Sequence, residues 1–367
     1  MKQRGENCAP GQSSTTEPVL PISQTEAIES CTSAESLRVV AIGGGTGLST
    51  LLRGLRKYVA GPGETAHAPR AIADLAALVT VTDDGGSSGR LRKDFNMLPP
   101  GDLRNCMVAL SEEEDMLVQL FSHRFRGGAG LRGHSFGNLF VAALTEITGD
   151  FGQAIQMAST ILATKGRIYP VTTANATLVA RMDDGSLVRG ETNITASSLR
   201  IAELMLDPPN AKALPETLDA IERADLISVG PGSLYTSLIT NLLVKDVPVA
   251  LTRARGVRVY ISNLMTEANE SLGLSAAEHI ERIYEHAGGP IFDYALVNTA
   301  PFSAETLARY AEEGASQILP DIERIEALGV RCIAGDFASE GNVVRHASER
   351  LTMALLDLGR AAVACRA

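Results

Sequence analysis

Three short segments carry residues whose types and spacing could do chemistry, and each follows an apolar run. Arg38-Val39-Val40-Ala41-Ile42 leads into Gly43-Gly44-Gly45-Thr46-Gly47. Leu78-Val79-Thr80-Val81-Thr82 leads into Asp83-Asp84-Gly85-Gly86-Ser87-Ser88-Gly89-Arg90. Asp225-Leu226-Ile227-Ser228-Val229 leads into Gly230-Pro231-Gly232-Ser233-Leu234-Tyr235. Glycines at a strand-to-helix turn let backbone N–H groups approach an anion at the positive end of a helix. The first segment (Gly43, Gly44, Gly45, Thr46, Gly47) and the third (Gly230, Gly232, Ser233, Tyr235) therefore read as phosphate cradles. A tight turn that binds nothing is the competing reading, but four glycines in five residues exceed what a turn needs.

The second segment adds paired carboxylates. Asp83 and Asp84 at a strand end could hold Mg²⁺ through oxygen, hydrogen-bond a ribose or substrate hydroxyl, or simply turn the chain. Gly85, Gly86, Ser87 and Ser88 would supply further donors to phosphate. Asp183-Asp184-Gly185 has nearly the same letters but sits between two β-type runs, where Asp-Gly makes a hairpin. It is assigned no chemistry. Pro100-Gly101-Asp102 reads as a helix start with Asp102 as N-cap. Arg104 and Asn105 then face either a ligand or solvent. In Gly133-His134-Ser135-Phe136-Gly137-Asn138, His134 could donate to a phosphate or exchange a proton, with Asn138 one helical turn on. A dinucleotide fingerprint fails at Leu48 and Thr50, and the lysine of a Walker loop is absent. Hydride transfer with NAD(P) is correspondingly disfavoured.

The elements that must position these residues alternate. Helices are predicted at 49–58, 139–147, 215–223, 233–243, 275–286, 303–313 and 343–358, with strands at 225–229, 257–261, 293–297 and 330–334. Ser111-Glu112-Glu113-Glu114 reads as a capping box opening a further helix through Phe121. Such a rhythm predicts an α/β fold with a doubly wound, mostly parallel sheet. Strand ends then line up on one edge, where ligands bind. The Thr-, Val- and Ile-rich stretch 167–210 reads as a small β-rich insertion. Residues 1–36 lack periodicity and read as a disordered leader. The expected divisions are thus 1–36, 37–166, 167–210, 211–360 and a tail at 361–367.

Composition narrows the function. The 367 residues carry a formal charge of −10, so an extended DNA or RNA duplex surface is not expected. Five cysteines without CxxC spacing argue against a disulfide framework or a zinc site and for a reducing cytoplasm. No membrane span and no secretory leader are expected.

Taken together, the segments at 42–47, 82–92, 100–105, 133–138 and 230–237 resemble the gluconeogenesis factor (YvcK-like) family. That family shares a superfamily with the 2-phospho-L-lactate transferases (CofD). The resemblance runs in order over roughly residues 37–360. It implies a Rossmann-like fold and a cytosolic protein that binds UDP-N-acetylglucosamine or UDP-glucose. It also implies a role in cell shape and cell-wall supply during gluconeogenic growth. Tyr310 and Arg345 correspond in this resemblance to ligand-contacting residues, and a guanidinium suits a diphosphate. Continuation of the aspartate pair as Gly85-Gly86-Ser87-Ser88-Gly89-Arg90-Leu91-Arg92 favours the regulatory branch over the transferase branch. Two functions follow. One is a UDP-sugar-binding regulator that requires no cofactor and acts through a protein partner. The other is a Mg²⁺-dependent transferase using Asp83 and Asp84. A homo-oligomer is compatible with either.

Overall fold

A computed structural model describes residues 36–60, 71–112 and 116–366. The leader at 1–36 (except Ser36) and part of the predicted capping box at 111–114 fall outside those residues. Beyond that box the chain forms the helix Met116–Ser122.

Seven strands form the main sheet: β1 (Leu37–Gly43), β2 (Ile72–Val79), β3 (Arg167–Pro170), β7 (Leu226–Val229), β8 (Val257–Ile261), β9 (Tyr294–Asn298) and β10 (Arg331–Gly335). Between β3 and β7 come β4 (Thr177–Met182), β5 (Leu187–Arg189) and β6 (Ile201–Asp207), and the pair β11 (Ala338–Ser339) and β12 (Arg345–His346) follows β10. The main sheet is parallel throughout, in the order β10-β9-β8-β7-β1-β2-β3. From β1 the chain first winds outward through β2 and β3, then returns to the other side of β1 as β7 and winds the opposite way. This reversal opens a crevice at the carboxyl ends of β1 and β7, the usual ligand position in such sheets. Ile42 pairs with Val229 at that point, so Gly43 and Gly230 end neighbouring strands.

Both faces of the sheet are covered, which explains the continuous apolar runs. Val40 and Ile42 of β1 join a core that includes Leu178 and Leu204 of the antiparallel sheet β5-β4-β6. Val39 and Ala41 point to the opposite core, with Leu51, Leu52 and Leu55 of the helix Gly45–Leu55. Those three leucines are fully buried, each contributing about 1.5–3 kcal/mol of transfer free energy.

The predicted hairpin forms: β4 pairs β5 antiparallel, and Asp184 Oδ1 accepts from the Ser186 N–H (2.9 Å) and hydroxyl (2.6 Å). Two boundaries differ most from expectation. Arg167–Pro170 is the edge strand of the main sheet, so the antiparallel sheet begins only at Thr177. Its Ile168 and Tyr169 are equally suited to a parallel edge. The closing helix runs Ser348–Ala364, leaving Arg345 on β12 and extending into the expected tail. No described helix is long and apolar enough to cross a membrane.

Candidate functional site

The two glycine turns meet. A Cβ placed on Gly47 would lie 2.5 Å from the Pro231 carbonyl oxygen, and one on Gly44 would lie 3.4 Å from Ser237 Oγ. Beside this contact opens a cavity of about 260 Å³. Gly44, Gly45, Thr46 and Gly47 form one wall, Gly232 and Ser233 another, and Tyr310 and Arg345 a third. Tyr310 Oη accepts the Val344 N–H at 2.9 Å, which ties the helix Ala304–Ala311 to the approach of β12. Its hydroxyl hydrogen is then available to a ligand. Arg345 is exposed and pairs through β12 with Ser339. Its neighbour His346 donates from Nε2 to the Ser262 carbonyl at 3.1 Å, and burial pushes its pKa down to about 4.

Of the other predicted residues, Gly43, Gly230 and Tyr235 serve the turns without lining the cavity. The Gly43 carbonyl accepts from Asn241 Nδ2 (3.1 Å) and from the Thr80 N–H (3.2 Å). Gly230 has φ +97°, and its position against the Ile261 carbonyl leaves no space for a side chain. Tyr235 is buried: its hydroxyl reaches the Ile201 carbonyl (3.3 Å) and its ring packs edge-on against His286. Ser233 makes no side-chain cap. The segment after it, Leu234–Ile239, is a π-helix rather than the α-helix the sequence predicts.

The paired aspartates diverge. Asp83 Oδ1 accepts the Gly85 N–H at 2.9 Å, while Oδ2 faces Gly101. Asp84 Oδ1 turns the other way, accepting from the Thr192 N–H (2.9 Å) and hydroxyl (2.7 Å). Adjacent side chains on an extended backbone point to opposite sides, so the pair does not make a two-carboxylate clamp. Among the described residues no three His, Cys, Asp or Glu side chains converge as a metal site. Asp84 instead binds the short helix Glu191–Ala196 of the insertion to the second turn.

A second constellation adjoins Asp83 without lining the cavity. A Cβ on Gly101 would sit 2.5 Å from Ser88 Oγ and 3.2 Å from Asp83 Oδ2. Ser87 Oγ lies 3.0 Å from His134 Nδ1, and Asn138 Nδ2 lies 3.5 Å from Ser88 Oγ. Burial, then the nearby Arg90, push the His134 pKa down, so it is neutral at pH 7. Ser135 caps the helix Phe136–Thr148 by accepting the Asn138 N–H. Arg104 donates to Asn105 Oδ1, and burial lowers its pKa. Gly85 and Gly86 start the helix Gly86–Phe95, Gly86 with φ +47°.

Asp102 is not the N-cap, which is Pro100. As a residue it keeps some exposure, but its carboxyl group is enclosed and accepts the Gly45 N–H. Glu270 does the same at the other turn, accepting the Tyr235 N–H (3.2 Å) and the Thr236 hydroxyl (2.8 Å). Both anion cradles therefore already hold an internal carboxylate. Burial pushes the pKa of Asp102 up to about 6 and that of Glu270 up to about 7. Burial and the surrounding carboxylates, Asp83 first among them, push Glu191 up to about 9. Glu191 and Glu270 belong to no motif, so nothing in the sequence marks them. Asn263, Thr266 and Glu267 also line the cavity. Their signal was legible, since they follow the predicted strand at 257–261 on the ligand edge.

This fold, with glycine turns closing on a crevice at the strand-order reversal, defines a Rossmann-like α/β protein with a glycine-lined cleft. A family model described as "2-phospho-L-lactate transferase CofD" matches residues 39–338. The chain is 43% identical to the gluconeogenesis factor of Halalkalibacterium halodurans over 87% of this chain and 95% of that one. It is 42% identical to the gluconeogenesis factor of Bacillus subtilis over 88% and 98% of the two chains. A crystal structure of a Bacillus halodurans protein superposes with a TM-score of 0.83 at 43% identity, covering 88% of this chain and 100% of that one. The chain belongs to the gluconeogenesis factor family, within the wider CofD family.

Proposed function

We propose that this chain is a cytosolic regulator that binds a nucleotide sugar, UDP-N-acetylglucosamine or UDP-glucose. We propose further that this binding serves cell shape and wall supply during gluconeogenic growth. The observation that carries the reading is the cavity where Gly44–Gly47 amides, Ser233, Tyr310 and Arg345 converge. A diphosphate suits the amide cradle and the guanidinium, and Tyr310 offers a hydroxyl donor to sugar or phosphate. The relatives' printed name, gluconeogenesis factor, supports the link to gluconeogenic growth.

Calorimetry with UDP-N-acetylglucosamine should show saturable binding. Arg345→Ala should weaken it about 10- to 100-fold, the worth of a charge-assisted hydrogen bond. Unchanged affinity in that variant removes Arg345 from the site.

A second reading, transfer of a phosphate-linked group, is favoured by the matching family description and by Asp102 beside the first turn, with Asp83 near that carboxylate. Under it, phospho-donors should be turned over, and Asp83→Asn should abolish the turnover. Turnover that survives in Asp83→Asn sinks that assignment. Absence of any turnover with intact UDP-sugar binding leaves the regulatory reading.

A further inference from the structure

The opposite edge of the sheet carries a second charged pocket. It lies at the amino ends of β8, β9 and β10, where the loop Ala254–Gly256, Asp293, Tyr294, Gly329 and Arg331 meet Arg366. Its volume is about 390 Å³. The glycine-turn cavity lies at the carboxyl ends, a strand of five residues away, or about 17 Å.

Four guanidiniums border this pocket, from Arg255, Arg258, Arg331 and Arg366, against one carboxylate, Asp293. That carboxylate is already committed. Its Oδ2 accepts from the Arg258 N–H and Nε, both at 2.9 Å, and its Oδ1 from Nη2 at 2.7 Å. Arg258 is thus neutralised and serves as a wall. Arg331 is held in another way: Nη1 donates to Tyr294 Oη at 3.0 Å, and its guanidinium lies 5.6 Å from the centre of the Tyr294 ring. Neither contact cancels its charge. Among the described residues, Arg255, Arg331 and Arg366 form no ion pair. Arg255 and Arg331 are uncompensated cations on one hollow, and Arg366, near enough to Asp225 to help hold that carboxyl's pKa down, adds a third guanidinium in a chain of net charge −10.

We propose that this pocket is a second anion site, taking a small ligand with two linked phosphoryl groups. Planar guanidiniums donate in pairs and match phosphoryl oxygens. Three of them suit the charge of a diphosphate better than that of a single carboxylate. The walls offer little apolar surface besides the Tyr294 ring, so the ligand is a charged headgroup rather than one with a large base or lipid tail. The pre-set Arg331 supplies the directional contact, and Arg255 and Arg366 close over the rim.

Titration of the full chain with inorganic pyrophosphate, inorganic phosphate and sodium chloride at matched ionic strength tests this. Pyrophosphate should bind saturably and at least tenfold more tightly than phosphate, and chloride should give no saturable signal. Arg331→Ala should weaken pyrophosphate binding at least tenfold, as should the surface charge reversal Arg255→Glu, while circular dichroism spectra match the parent. Binding that survives both substitutions overturns the proposal. So does pyrophosphate binding that is lost in Arg345→Ala instead, because the anion would then occupy the glycine-turn cavity. The site does not depend on the nucleotide-sugar reading: absence of UDP-sugar binding with intact, Arg331-dependent pyrophosphate binding would fail that reading alone.

Discussion

Gly47→Ala is expected to abolish nucleotide binding and to destabilise the fold by about 1–3 kcal/mol, the cost of overpacking a close contact. The new methyl group would sit 2.5 Å from the Pro231 carbonyl oxygen and 3.0 Å from the Gly232 nitrogen. Both obstructing atoms are backbone, so no rotamer change relieves the clash, and the two turns must separate. An opposing effect exists, because Gly47 lies in the first turn of the helix Gly45–Leu55. Alanine is favoured over glycine in a helix interior by at most about 1 kcal/mol. At a helix start, against a backbone clash, that gain is the smaller term. Gly127→Ala is the control: nothing lies within 4 Å of a Cβ there. Urea unfolding and calorimetry on both variants would check the expectation. Parent-like binding in Gly47→Ala would show that the turns need not touch for the cleft to work.

Stability should fall as pH rises from 7 to 9. Glu191 and Glu270 have folded pKa values of about 9 and about 7, both raised from 4.5 by burial first and neighbouring carboxylates second. A carboxyl group whose folded pKa is raised holds a proton that the unfolded chain has already released. Its stabilising contribution is full below about pH 4.5 and is lost as pH climbs through the folded value. While one such proton is held, the loss is about 1.4 kcal/mol per pH unit. Between pH 7 and 9 Glu191 alone accounts for about 2–3 kcal/mol. The buried histidines do not confuse this window. His134, His279 and His346 have lowered pKa values, so their effect is a loss of stability below about pH 6.5, where the unfolded chain protonates. Thermal or urea midpoints at pH 7, 8 and 9 should therefore decline in the parent and stay flatter in Glu191→Gln. A parent midpoint independent of pH over that range would contradict a protonated Glu191.

Much of the fold was readable because local pattern and tertiary demand agree. The strand at 257–261 and the helix at 215–223 match the sequence reading residue for residue. Here a β-prone run, buried at four of its five positions, and a proline at the helix start leave little choice. Disagreement arises where composition is shared by two outcomes. Arg167–Pro170 is as β-prone at a parallel edge as in an antiparallel insertion. The turn after Val229 enters a π-helix, Leu234–Ile239, whose six residues are all buried, and the local spacing of Tyr235, Leu238 and Ile239 reads equally as an α-helix.

The sequence by itself determined that two glycine turns follow apolar strands, that a hairpin sits at Asp184-Gly185, and that the chain resembles the gluconeogenesis factor family with its α/β fold. Those are properties of neighbours in the chain, where backbone freedom and periodicity act. Only the tertiary structure decided that Gly47 lies against Pro231 and that Arg345 closes the same cavity. It alone showed Asp83 and Asp84 parting to different partners, with Asp102 and Glu270 seated on the amide donors. Charge, burial and approach between residues tens to hundreds apart are set by the winding of the sheet, and no local spacing encodes them.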